Sequence, residues 1–215
     1  MPDDLATTQR ALVETARELL ARGLVEGTSG NLSARTEDGR VVMTPSSLPY
    51  ETMTPDDLVV TDLEGNVLDG TRAPTSEKAL HLACLQQHSD VGAVIHCHAK
   101  YSTMFALTHQ PIPCVIEEFD IYVGGEVPVA DYKLTGSDEL GLEAARHLAD
   151  RGAVLMANHG LLTVGRDLAE AMKVASLVER TAEIVWGARA LGALVPLPDS
   201  TLEKFAPLYK ALRSR

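Results

Sequence analysis

The spacing of apolar residues divides the chain into helical and extended segments. Apolar residues recur at the helical period from Leu5 to Leu20, and Gly23 offers a left-handed stop, so this segment is expected to form a helix. Residues with high β-propensity, separated by turn residues, predict short antiparallel strands at 32–35, 41–44, 58–62 and 67–68. Further helices are expected at 76–88, 100–107, 137–149 and 167–191. Helices around a central, largely antiparallel sheet predict an α/β fold, a three-layer αβα domain over residues 1–215.

Two histidines lie on one predicted strand, which runs from Ala93 to His98. His96 and His98 are two residues apart, so on a strand both imidazoles point to the same face while Cys97 points to the other. One face of this strand therefore offers two nitrogen ligands for a metal.

A third histidine follows a second apolar segment. His159 comes after Ala153–Met156, where a strand is expected to run into a turn at Gly160. Three imidazoles with one exchangeable position are typical of catalytic zinc sites, so a divalent metal is expected here. The other histidines are interpreted as surface or core residues: His81, His88, His109 and His147.

Composition limits the possible partners and location. The formal net charge of −11 argues against nucleic acid and anionic membranes as partners, because both attract basic surfaces. No window approaches the roughly 20 apolar residues of a membrane span, and the N-terminal residues 1–4 are acidic, so a cytoplasmic protein is expected. The three cysteines, an odd number without a Cys-x-x-Cys pair, make a disulfide framework improbable: Cys84, Cys97 and Cys114.

Five motifs occur in the order found in the class II aldolase/adducin family, which includes fuculose-phosphate aldolases and ribulose-phosphate 4-epimerases. They are GTSGNLS at 27–33, TPSSLPY at 44–50, PTSE at 74–77, HCH at 96–98 and NHGL at 158–161. The chain resembles this family over nearly its whole length. The resemblance implies the same αβα fold, a Zn²⁺ or other divalent metal in each subunit, and a sugar phosphate as substrate.

The resemblance also implies individual roles. Zinc would be bound by His96, His98 and His159, with Glu77 approaching it in the resting enzyme and acting as the base once substrate displaces it. From the residues alone, the helix start at Thr75–Glu77 is more simply an N-cap with an acidic first turn, although free amides at such a place also bind phosphate. The family pattern implies that these residues contact substrate or its phosphate: Asn31, Ser46, Ser47, Thr75 and Ser76.

These parts together predict retro-aldol cleavage. The expected substrate is fuculose 1-phosphate or a 5-deoxy or 5-substituted ribulose 1-phosphate, and the expected products are dihydroxyacetone phosphate and a short aldehyde. A ribulose-phosphate 4-epimerase and a methylthioribulose-phosphate dehydratase are alternatives that use the same fold. A non-catalytic, adducin-like scaffold is disfavoured, because all four metal-site residues are retained.

One position departs from the family pattern. Fuculose-phosphate aldolases carry a tyrosine, donated across a subunit interface, where this chain has Glu118. Glu118, Tyr122 or Tyr209 are candidates for the group that handles the proton at the aldehyde oxygen, although each is equally well explained as a surface carboxylate or a packed phenol. The resemblance implies a homotetramer with active sites between subunits, which the segment 117–122 and the tail around Tyr209 are expected to reach.

Overall fold

The computed structural model describes residues 4–214, so Met1–Asp3 of the acidic N-terminus lie outside the described residues. The helices are α1 Asp4–Ala21, α2 Lys78–Gln87, α3 Lys100–Thr108, α4 Glu117–Val123, α5 Asp138–Arg146, α6 Leu168–Leu191 and α7 Asp199–Arg213. The strands are β1 Asn31–Arg35, β2 Val41–Met43, β3 Val59–Thr61, β4 Val67–Asp69, β5 Ala93–Cys97, β6 Val129–Ala130, β7 Ala153–Met156 and β8 Gly160–Gly165. A short 3₁₀ turn, Pro55–Asp57, precedes β3.

All of these strands belong to one sheet, in the order β4-β3-β2-β1-β5-β8-β7-β6. Every neighbouring pair is antiparallel except β6 and β7, which are parallel. The predicted largely antiparallel sheet is therefore confirmed. That the whole of residues 1–215 forms one domain stays a prediction.

Helices cover both faces of the sheet. On one face, α1, α3, α4 and α6 contribute buried residues to a core with Ile95 and Cys97 of β5. On the other face, α2 and α5 pack against each other and over Val94. The alternation along β5 sends Cys97 into the first core and His96 toward α2 and α5, as predicted, and the three-layer αβα architecture is confirmed. The strand ends at Cys97, one residue before its predicted end, so His98 lies just beyond it.

The structure corrects the turn expected at Gly160. Gly160 is the first residue of β8, and the turn lies just before it at Ala157–His159. All six residues of β8 are buried, so the segment shows no alternation between polar and apolar residues. The sequence analysis did not predict helices α4 and α7. Helix α4 is short, and α7 contains Pro207 and buries little besides Tyr209.

Two sequence expectations concern membranes and cysteines. Among residues 4–214, none of the helices has the length and apolar character needed to cross a bilayer. All three cysteines are free thiols, two of them buried and Cys114 partly buried.

A close backbone approach at Gly92 ties β1, β5 and β8 together. Gly92 N–H donates to Gly165 O over 2.9 Å, and Gly92 O accepts from Arg35 N–H over 2.7 Å. A Cβ atom at Gly92 would lie 2.0 Å from Arg166 O, so even alanine requires the backbone to move. This junction therefore requires a residue without a side chain, which is glycine.

Gly92→Ala should lower the free energy of unfolding by about 1–3 kcal/mol, the usual cost of overpacking a close contact. Urea denaturation followed by circular dichroism measures the change. The matched control is Gly187→Ala in α6, where an added Cβ meets nothing within 4 Å, and which should leave stability unchanged or raise it by up to about 1 kcal/mol. Equal stability of wild type and Gly92→Ala would refute the tight approach.

Candidate metal centre and active site

The pairing of three central strands brings the site together. Asn31 of β1 lies opposite His96 of β5, and His96 lies opposite Leu162 of β8. Asn31 and His96 both point toward α2, because their neighbours Leu32 and Ile95 belong to the core on the opposite face. The sheet therefore presents one imidazole and one amide side by side beneath the start of α2.

Three histidines converge at this end of the sheet. The ligand nitrogens of His96, His98 and His159 all lie within 4.8 Å of one another, and the Nε2 atoms of His96 and His98 are 3.0 Å apart. His96 is fully buried, whereas His98 is exposed and His159 is half-buried. The predicted trio is thus brought together, with an open side toward solvent.

The turn between β7 and β8 delivers His159. Asn158 adopts φ 55°, a left-handed conformation that asparagine tolerates better than most residues. The turn is anchored because Asn158 N–H donates to Ala106 O over 3.2 Å. Gly160 follows directly, and a Cβ there would lie 2.8 Å from Cδ2 of His98 and 3.3 Å from Cε1 of His96. The imidazoles therefore pack where only a glycine leaves them room.

The protonation of His96 suits a metal ligand. Burial lowers its pKa to about 3, so the ring is neutral at ordinary pH. Its Nδ1 lies 2.9 Å from Leu161 O, which can only accept a hydrogen bond, so Nδ1 carries the proton and Nε2 keeps its lone pair. Partial desolvation of the His98 ring by its neighbours also lowers its pKa, although the residue as a whole is exposed. These are the neutral nitrogens that divalent metals bind.

Glu77 completes the cluster. Its carboxylate oxygens lie 3.2 Å from Nε2 of His96 and 3.3 Å from Nε2 of His159. Zinc bonded to nitrogen at about 2.0–2.1 Å with tetrahedral angles needs ligand atoms roughly 3.3 Å apart. The separations of 3.0, 3.2 and 3.3 Å fit one divalent metal ion among these four residues.

The side chain of Glu77 does not act as a helix cap. Glu77 occupies the N-cap position of α2, but its carboxylate makes no capping hydrogen bond and is buried. Asn31 Nδ2 donates to Oε2 over 2.9 Å, and Thr135 Oγ1 donates to Oε1 over 3.0 Å. Burial alone raises the pKa of the Glu77 carboxyl, but His96, Asn31, His159 and Thr135 outweigh it, so the pKa lies below its ordinary value.

The residues predicted to bind substrate share one cavity with this cluster. The cavity has a volume of about 220 Å³. Its lining includes the predicted residues and three members of the cluster: Asn31, Ser46, Ser47, Thr75, Ser76, Glu77, His98 and His159. Among the described residues, the lining contains no lysine or arginine, so hydroxyl groups dominate its polar surface.

The backbone amides of the Thr75–Glu77 segment are partly occupied, contrary to the expectation that they are free. Thr75 N–H donates to Thr44 O over 3.0 Å, and Glu77 N–H donates to Thr75 Oγ1 over 3.2 Å. The hydroxyls of Ser46, Ser47 and Ser76 are exposed. Side-chain hydroxyls are therefore the more available donors in this cavity.

Two residues of the site were missed by the sequence analysis. Thr135 lies in the loop between β6 and α5 and reaches Glu77, and no motif marks it. His81 was interpreted as a surface or core histidine, and it is indeed fully buried, but its contacts with Asn31 and Ser33 were not predicted. Its spacing of four residues from Glu77, one helical turn, was the available signal.

The three candidates for the second acid lie away from this cavity within the described chain. Glu118 pairs with Arg180 over 2.5 Å on the wall of a groove between α1 and α6. The Tyr122 ring lies under the ammonium group of Lys173, 3.0 Å from the ring centroid. Tyr209 is buried against Gly124 in a separate crevice, and its hydroxyl accepts from Arg213 over 3.2 Å.

Comparisons with known proteins agree with this architecture. The 5-methylthioribulose-1-phosphate/5-deoxyribulose-1-phosphate aldolase of Rhodospirillum rubrum is 35% identical over 210 residues, which cover 98% of this chain and 94% of that protein. The 5-deoxy-D-ribulose 1-phosphate aldolase of Bacillus thuringiensis is 31% identical over 207 residues, covering 96% and 97%. A solved structure of an L-fuculose 1-phosphate aldolase superposes with a TM-score of 0.90 at 35% identity, covering 95% of this chain and 96% of that one.

The family model described as the class II aldolase and adducin N-terminal domain matches residues 10–186. This range contains the three histidines, Glu77 and all the cavity residues named above. The chain therefore belongs to the class II aldolase and adducin family.

Proposed function

We propose that this protein is a divalent-metal-dependent aldolase that cleaves a ketose 1-phosphate into dihydroxyacetone phosphate and a short aldehyde. The observation that carries the proposal is the single cavity in which hydroxyl-bearing residues lie beside the histidines and Glu77. The names of the two bacterial relatives support 5-deoxy or 5-substituted ribulose 1-phosphates as the substrates to test first. Fuculose 1-phosphate is the next substrate of the same class.

We propose zinc as the metal, one ion per subunit, on His96, His98 and His159, with Glu77 beside it in the resting enzyme. When bound, such an ion polarises a ketose carbonyl and stabilises the negative charge that develops as the C3–C4 bond breaks. The neutral Nε2 atom that this role requires of His96 follows from the burial of its ring and from the hydrogen bond between its Nδ1 and Leu161 O.

Glu77 supplies the proton chemistry at carbon. In cleavage, a base at the aldehyde oxygen, supplied by a neighbouring chain, accepts the proton of the C4 hydroxyl, that oxygen becomes the aldehyde oxygen, and the electron pair of the C3–C4 bond passes to C3. Glu77, after taking up a proton from solvent, gives it to C3, and in the reverse direction it removes that proton. Its carboxylate is held by two hydrogen bonds, from Asn31 and Thr135, at the edge of the cavity where that carbon would lie.

The phosphate is held by neutral donors. Ser46, Ser47 and Ser76 offer exposed hydroxyls, and Ser76 directly precedes the N-terminal end of α2, where the helix dipole favours an anion. Hydroxyls and a helix end bind a phosphate without adding charge to the protein. A phosphate on these hydroxyls and a carbonyl beside the histidines would share one cavity of about 220 Å³, which selects a ketose phosphorylated close to its carbonyl.

We propose that the active form is a homotetramer with active sites between subunits. Glu118, Tyr122 and Tyr209 lie outside the cavity of their own chain, so a role at the aldehyde oxygen requires the cavity of a neighbouring chain. Large apolar side chains are exposed near the end of α6, which is typical of a surface that another subunit covers: Trp186, Leu191 and Val195. Specificity for the aldehyde would then depend on Glu118 and its surroundings.

The reaction itself is tested with a matched pair of sugars. Zinc-loaded protein should release dihydroxyacetone phosphate from 5-deoxyribulose 1-phosphate, measured by coupling to a reductase. Ribulose 5-phosphate is the control and should release none, because its phosphate is at the far end from the carbonyl. If the two sugars gave only a 4-epimerised or a dehydrated product, the corresponding reaction would replace the aldolase proposal. No turnover of either sugar would favour a scaffold.

Removing one ligand should remove the metal. His96→Ala should bind far less than the roughly one ion per chain expected of wild type, because a three-histidine site loses a buried ligand. Metal analysis after dialysis measures this, and circular dichroism checks the fold. His147→Ala is the control, since His147 lies outside the cluster and contacts Glu143. Full metal content in His96→Ala would show that the site is elsewhere.

Glu77→Gln should retain metal and thermal stability but lose kcat by roughly 10²–10⁴-fold, the usual contribution of a general base. The amide keeps the shape of the side chain and one acceptor for Asn31. A lower kcat would therefore show that the charge and basicity of the carboxylate are needed. Glu143→Gln is the matched control, because Glu143 is also a buried glutamate but contacts Arg146 and His147 at the C-terminal end of α5. Unchanged kcat in Glu77→Gln would eliminate this residue as the base.

A further inference from the structure

A row of buried polar side chains leads from the sheet to Glu77. Ser33 Oγ lies 2.7 Å from His81 Nδ1, and His81 Nε2 lies 2.5 Å from Asn31 Oδ1. Asn31 Nδ2 lies 2.9 Å from Glu77 Oε2. Ser33 and His81 are fully buried, and Asn31 and Glu77 are nearly so. The proton transfer described for Glu77 uses neither Ser33 nor His81.

Two regular spacings produce this row. Ser33 and Asn31 are two residues apart on β1, so both side chains point to the α2 face. Glu77 and His81 are four residues apart, so they lie one turn apart on the same side of α2. Asn31 therefore lies between the two α2 residues and contacts both.

The direction of each hydrogen bond follows from the carboxylate. An ionised carboxylate only accepts, so Asn31 must turn its NH₂ group toward Glu77 and its carbonyl toward His81. His81 must then carry its proton on Nε2, which leaves Nδ1 to accept from the hydroxyl of Ser33. The opposite tautomer would reverse Asn31 and place its carbonyl oxygen against Oε2 of Glu77.

The surroundings of His81 keep its ring in the neutral form that these hydrogen bonds require. Burial lowers its pKa to about 4, so the ring is neutral and has one donor and one acceptor. A protonated ring would carry a proton on both nitrogens and donate from both. The hydroxyl of Ser33 could then no longer determine which nitrogen carries the proton. The two neighbours of the ring thus determine which nitrogen carries the proton.

We infer that His81 is a positioning residue for catalysis: in its Nε2–H tautomer, held by Ser33, it fixes the amide of Asn31 and through it the carboxylate of Glu77. The catalytic part of this inference rests on the proposed aldolase function. Without His81, the amide of Asn31 is free to rotate, and Glu77 loses the donor that aims one of its oxygens. The ring of His96 has a separate partner, Leu161 O, so metal binding should persist without His81.

Kinetics distinguish positioning from packing. His81→Phe should lower kcat by about 10- to 100-fold, as loss of a partner behind a metal-site residue typically does, with metal content retained and KM changed far less. His81→Gln should recover part of kcat, because its amide N–H can donate to Asn31. Ser33→Ala should also lower kcat, since it removes the donor that selects the tautomer.

The matched control is His88→Phe. His88 lies at the other end of the same helix, where its ring contacts Ala145 O over 2.8 Å, so the substitution tests whether disturbing α2 is enough to change kcat. It should leave kcat unchanged. Equal loss in His88→Phe and His81→Phe, or unchanged kcat in folded His81→Phe, would overturn the inference.

The tautomer is measured independently of activity. ¹⁵N NMR of histidine-labelled wild-type protein, with His81→Gln used to assign the resonance, should show the proton of His81 on Nε2. A proton on Nδ1 would overturn the inference even if the variants were inactive. A wild-type protein that cleaves no ketose 1-phosphate but shows the Nε2–H tautomer would contradict the aldolase proposal and leave the hydrogen-bonded row supported.

Discussion

The site depends on the register of three antiparallel strands. Asn31, His96 and Leu162 lie side by side across β1, β5 and β8, and the carbonyl next to Leu162 orients the ring of His96. Because side chains alternate along a strand, a slip of one residue would send Asn31 and His96 into the opposite core. Burial of Leu32 and Ile95 in that core opposes such a slip, so ordinary hydrophobic packing holds the polar site in register.

Strand parity made much of this site predictable from the sequence. A His-x-His pair on one strand and a third histidine after another strand depend on local spacing, which a sequence shows directly. Thr135 could not be found in this way, because its contact with Glu77 depends on a loop that packs 58 residues away in the chain. The helices α4 and α7 were missed for other reasons: α4 has only 7 residues, and α7 contains Pro207 and buries only Tyr209.

His81 shows a different limit of prediction from the sequence. A histidine with apolar neighbours is usually a core residue, and His81 is one by burial. Its importance lies in which nitrogen carries the proton, and that depends on Ser33 and Asn31 of a distant strand. Helical periodicity identifies which residues share one side of a helix, but not which residues of other elements contact that side.

The close packing of the imidazoles around Gly160 has a consequence for design. Copying the three histidines and the glutamate onto another sheet would not reproduce this centre, because a side chain at the position of Gly160 would push two of the rings apart. The arrangement of the rings thus requires that the position beside them carries no methyl group. A transplanted site would therefore need a glycine at this position as well as the three histidines and the glutamate.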